Sequence, residues 1–208
     1  MAVTVDVGTD PQSARAAWSR RVRRIGGFIQ AAFAGFWLIR GSIVLHGPAS
    51  TLVPAVALLA VIGAFGYGVW GTAGIAPRPS GSQARRLERD VTIATVVQLA
   101  ASFLAPAIVI AAGRADWTLP SIAITIGPLL LWLDRRVGIA RYRPVGWSLI
   151  VAPLLLVATM SGTALVATTG LAAGALLLAT AVAGFHDLAK LKAFAAARMA
   201  ATPPEDLV

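Results

Sequence analysis

Six runs of mostly apolar residues, with nearly all of the charge confined to the segments between and beside them, constrain this chain more than any motif in it. A helix that crosses a bilayer needs roughly 20 such residues at about 1.5 Å each. The runs fall near 25–45, 51–75, 91–112, 119–133 and 147–160, and the sixth ends at 185. Little chain remains for a soluble domain. Composition agrees, since 57 % hydrophobic residues, 13 % charged residues and a mean hydropathy of +0.76 belong to the membrane class. The expected fold is an all-α polytopic membrane protein with six transmembrane helices. Residues 1–24 form a tail with a basic amphipathic helix, 25–186 the transmembrane bundle, and 187–208 a second basic helix and tail.

A net charge of +9 would point to nucleic acid in a soluble protein. Here the basic residues lie between and beside the apolar runs, so they report topology and no nucleic-acid partner is expected. Of the 18 Lys and Arg residues, only Arg40 and Arg114 fall on the side opposite the termini. The positive-inside rule then places both termini in the cytoplasm, and the Ala- and Arg-rich composition suggests a bacterial cytoplasmic membrane. Trp132 and Trp147 at inner boundaries and Trp117 at an outer one fit an aromatic belt. The tract Ser19-Arg20-Arg21-Val22-Arg23-Arg24 resembles a twin-arginine export signal, but the apolar run behind it is too long and five more follow.

Taken in order, residues 1–10 are polar and aperiodic, predicting a disordered start, and Pro11 opens a helical segment. Residues 13–24 carry five arginines, with Trp18, Val22 and Ile25 at helical spacing on another face, as in a helix lying against anionic headgroups. Gly27, Ala31 and Gly35 recur every fourth residue, a spacing that lets a neighbouring backbone approach. In the second run, Ala60, Ala64, Gly68 and Thr72 form a small stripe with Gly63, Gly66, Gly71 and Gly74 beside it, predicting a helix packed on more than one side. Residues 77–89 read as a solvated loop. Pro106, Gly127-Pro128 and Pro153 interrupt three consecutive runs, with a kink expected at Gly127-Pro128. Gly170 and Gly174 form a GxxxG pair in the sixth run, which continues as a helix beyond the bilayer to about Met199 before Pro203-Pro204. These small-residue faces also suit a homo-oligomer.

Zero cysteine excludes disulfides, thiolate metal sites and Cys nucleophiles. His46 and His186 are expected on opposite sides, so no shared metal and no cofactor are expected. No Asp or Glu falls within a run. If the chain is an enzyme on a hydrophobic substrate, such as an isoprenoid cyclase or isomerase, Asp116 and Asp134 at the boundaries are its catalytic candidates, each otherwise pairing with Arg114 and with Arg135 or Arg136. Neutral polar residues inside the runs offer a ligand lining instead. Gln30, Trp37 and Arg40 share one face of the first run, and Gln98 and Ser102, with Thr95, share one face of the third. Arg40 beside Trp37 suits the anionic head of a lipid. The leading expectation is a non-enzymatic bundle that binds or passes a lipid-like or apolar molecule among membrane lipids. A scaffold within a membrane complex and the membrane enzyme are the alternatives.

The stretch Ile126-Gly127-Pro128-Leu129-Leu130-Leu131-Trp132-Leu133, followed by Tyr142 and Gly146, resembles a pattern in small six-helix bacterial membrane proteins of uncharacterised function. Positions that hold a His in that pattern are apolar or Gly here. The resemblance implies a six-helix bundle and supplies no activity.

Overall fold

The computed structural model describes residues 11–74 and 82–201, and every long element in it is helical. The order is α1 (Pro11–Ser42), α2 (Ala49–Gly71), α3 (Ser82–Ala111), a 3-10 turn (Ala115–Trp117), α4 (Thr118–Val137), α5 (Tyr142–Thr159) and α6 (Gly162–Ala201). The disordered start, most of the 77–89 loop's proline-rich part and Pro203-Pro204 fall outside the described residues. Five of the six helices are long and apolar enough to cross a membrane, which makes the chain an α-helical protein suited to a bilayer. The exception is α1, whose apolar part is interrupted by Gln30 and Arg40.

Several boundaries differ from the sequence expectation. The basic residues after Ser82 form the first turns of α3, solvated but helical. The N-terminal arginine segment is the start of α1 and shares its axis, with Trp18 and Val22 buried in the main core. α5 begins at Tyr142, five residues before the expected Trp147. α6 is unbroken over 40 residues. At 1.5 Å per residue it is about 60 Å long, roughly twice the hydrocarbon thickness of a bilayer.

Glycine decides how the helices meet. α1 and α6 run antiparallel and cross where a Cβ at Gly170 would stand 2.5 Å from the Gly41 Cα, and Leu38 fills the space beside Gly174. Further along the same pair, Gly27 receives the ring of Phe185. α4 and α5 form a second antiparallel pair, crossing where a Cβ on Gly127 would lie 2.7 Å from the Gly146 carbonyl oxygen. In a lipid setting such close approach supplies association that the hydrophobic effect does not. The reversal between these two helices is set by Gly138, whose φ of 78° suits glycine and whose N–H caps the Asp134 carbonyl. Helix α4 continues through Pro128.

α2 packs against α1 and α6 around the rings of Phe28, Phe65 and Phe185, with Gly68 admitting two of them. Its buried positions are Ala57, Ala64, Gly68 and Thr72, a single stripe. Ala60 and Gly63 face outward, and no described residue lies within 4 Å of a Cβ at Gly63. The expectation that α2 packs on more than one side is therefore corrected: its small residues exceed what its neighbours cover, and Leu59, Ile62 and Trp70 are exposed beside them. α3 rests chiefly on α4 and meets α1 only sparingly, while Val97, Phe103 and Ile108 point away from the bundle. That arrangement leaves a gap between α1 and α3.

Candidate ligand-binding groove

The gap is a cavity of about 450 Å³ with α4 as its floor. Ligand pockets commonly span roughly 300–1,000 Å³. α1 contributes Trp18, Val22, Ile25, Ile29 and Phe33, a stripe repeating every three or four residues along one face. The opposite wall is Val91, Thr95, Gln98 and Leu99 of α3. Ile126, Leu129, Leu130 and Leu133 of α4 close the floor at the same spacing. Into this apolar trough come few polar groups: Arg21 near the start of α1, Gln30 deeper in, Gln98 across from it, and Tyr142 from the first turn of α5.

These polar groups are held by short networks. The Gln98 Nε2 donates to Ser102 Oγ at 2.7 Å, and Ser102 lies 2.8 Å from Thr125 Oγ1. Because Thr125 donates its own hydrogen to the Ile122 carbonyl, Ser102 is the donor in that second bond. The chain of bonds ties α3 to α4 and fixes the Gln98 amide at the wall. Gln30 is buried, and its side chain interacts with the Tyr142 phenol, which also stands close to Gly26. Thr95 donates to the Val91 carbonyl, so its hydroxyl bonds within its own helix.

Of the residues singled out from sequence, Gln30 and Gln98 meet across the groove, and Ser102 stands behind Gln98 without lining it. Trp37 and Arg40 are elsewhere. Trp37 is fully buried in the main core between α1 and its neighbours, and Arg40 is exposed near the far end of α1. Asp116 accepts a bond from the Gly162 N–H at 3.1 Å at the start of α6 and pairs with Arg114, whose guanidinium lies over the Trp117 ring. Asp134 is 7 % exposed and binds Arg143 at 2.8 Å, whereas Arg136 reaches across to Asp90. The expected partners Arg135 and Arg136 are thus replaced by an arginine from α5. Neither Asp116 nor Asp134 lines the groove.

Arg21, Tyr142 and the Trp18 indole are site residues that the sequence reading did not select. Arg21 was one of five arginines in a run, and nothing in spacing alone separates it from the others. A further cluster lies behind Tyr142. Asp187 of α6 accepts from Arg141 and pairs with Arg23 at 3.7 Å. Burial, and then Arg23 beside it, pull the Arg141 pKa down from its ordinary value, while Tyr142 pushes it back up. An arginine starts so high that it keeps its charge regardless. The cluster therefore clamps α1, the α4–α5 turn and α6 at one end of the bundle.

Comparison with protein-family models, with curated proteins and with solved structures gives no match.

Proposed function

We propose that this chain is a six-span protein of a bacterial cytoplasmic membrane, with both termini cytoplasmic, that binds or passes a lipid-like or apolar molecule through the groove between α1 and α3. The observation that carries the binding reading is the 450 Å³ trough itself, walled by aliphatic and aromatic side chains and carrying uncharged amides at its middle. Among the described residues no carboxylate lines it, so the lining itself offers an apolar molecule contact area and a few neutral hydrogen-bonding groups. What supports passage is the trough's position at the junction of helices that barely touch.

The test of binding is extraction of the purified protein from a mild nonionic detergent, with mass analysis of what comes off. Wild-type protein is expected to release about one alkyl-chain molecule per chain, and Leu99→Trp, which fills the trough with a larger ring, is expected to release almost none. Equal yield from both proteins, at the level of bulk lipid, would remove the reading.

The topology rests on the charge asymmetry of the sequence, with α1 as the sixth span despite Gln30 and Arg40. Fluorescent-protein fusion after Ala201 is expected to glow in cells, and alkaline phosphatase inserted at Gly113 is expected to be active. The reverse pattern would invert the orientation.

A further inference from the structure

We infer that the molecule held in the groove is a lipid phosphate, seated with its head at Trp18 and Arg21 and its chain running toward Gln30; this rests on the groove reading above. Two observations at that end of the trough point to an anionic acceptor. Arg21 lines the cavity and enters none of the ion pairs among the described residues, while Asp90, Asp116, Asp134 and Asp187 are each engaged by other groups. Trp18, only 5 % exposed, lines the same cavity, and its buried Nε1–H has no acceptor among the described residues. A buried donor left unpaired is destabilising, and because Arg21 lines the same cavity one anionic acceptor there can serve both.

The two residues are three apart on α1 and so share a face. Both donate and neither accepts, which rules against an ammonium head, and the charge on Arg21 favours an oxyanion over a neutral alcohol or amide. Arg20 and Arg24 flank Arg21 in sequence and raise the local positive potential. Surplus positive charge and donors at two separate positions favour a phosphate, with several acceptor oxygens and more than one negative charge near neutrality, over a planar carboxylate. From Arg21 to Phe33 the groove follows α1 for about 18 Å, a stretch lined by Ile25 and Ile29 that suits a long alkyl chain. Gln30 and Gln98 then lie along that chain and leave the head to Trp18 and Arg21.

The experiment is competition binding to the intact protein in dodecyl maltoside with three probes of one chain length: hexadecyl phosphate, hexadecanoate and hexadecanol. Hexadecyl phosphate is expected to bind about tenfold or more tighter than hexadecanol, the effect of one charge-assisted hydrogen bond. Arg21→Gln is expected to close that gap by weakening hexadecyl phosphate, and Trp18→Phe to narrow it a few-fold. Arg40→Gln, at the far end of α1, is expected to change nothing. Equal binding of phosphate and alcohol by the wild type overturns the head-group assignment and leaves the groove reading standing. Hexadecanoate binding as tightly as hexadecyl phosphate overturns the phosphate in favour of a carboxylate. Failure of all three probes to bind, or the same binding by Leu99→Trp, overturns the groove reading itself.

Discussion

Replacing Gly170 with leucine is expected to separate α1 from α6 and to destabilise the bundle by about 3 kcal/mol or more. The clash is with backbone: a Cβ there would lie 2.5 Å from the Gly41 Cα, 2.8 Å from the Gly41 nitrogen and 2.9 Å from the Trp37 carbonyl oxygen. No rotamer relieves contact with a main chain, so the helices must move apart. Such a shift also disturbs Leu38 against Gly174 and Phe185 against Gly27, which belong to the same interface. Unfolding in mixed micelles, followed by far-ultraviolet circular dichroism across an SDS titration, measures the loss. Gly63→Ala is the matched control. With open space around that position, it is expected to be neutral or to stabilise by up to about 1 kcal/mol through helix propensity. An unchanged midpoint for Gly170→Leu would contradict the packing described for α1 and α6.

The second large effect comes from the Asp134–Arg143 pair, whose two members differ sharply in burial: the side chains are 6 % and 68 % exposed. Removing the arginine leaves a buried carboxylate without its partner, whereas Asp134→Asn leaves a guanidinium that water already reaches. Arg143→Ala is therefore expected to cost about 2 kcal/mol, and Asp134→Asn about half of that or less. The first figure is below that of a fully buried pair because solvent screens the exposed arginine. Combining the two changes is expected to recover most of the larger loss, since no buried charge then remains. The same SDS titration reads all three variants. Equal losses from the two single changes would show that burial asymmetry does not control this pair.

Much of the architecture is legible in the chain because a bilayer-spanning helix announces itself by length and hydropathy alone. Where legibility fails, tertiary packing is the cause. The sequence gives α2 small residues around most of its circumference, yet only one stripe finds a neighbour, and composition carries no information about which face that is. Adjacent arginines were the natural partners for Asp134, but residues one or two apart on a helix do not face one another. The Gly138 reversal instead brings Arg143 back from α5.

The candidate site divides in the same way. Gln30 and Gln98 stood out as polar groups inside apolar runs, and they meet across the groove. Trp37 and Arg40 stood out equally and sit apart from it, because their spacing from Gln30 describes one helix and not its neighbours. Arg21 and Trp18 were hidden in a basic segment that reads as a surface feature. The burial of Trp18 and Val22 and the Arg23–Asp187 pair show that this segment also packs into the bundle.

Photolabelling would test the central claim most directly: a hexadecyl phosphate bearing a diazirine in mid-chain, added to the detergent-solubilised protein and mapped by peptide sequencing. A ligand in the groove predicts label on the inner faces of α1, α3 and α4, at Ile29, Leu99 and Leu130, displaced by unlabelled hexadecyl phosphate and lost in Leu99→Trp. Label spread over outward residues of α2 and α3, such as Leu59, Trp70 and Phe103, with no displacement, would mean that the groove holds no ligand of its own.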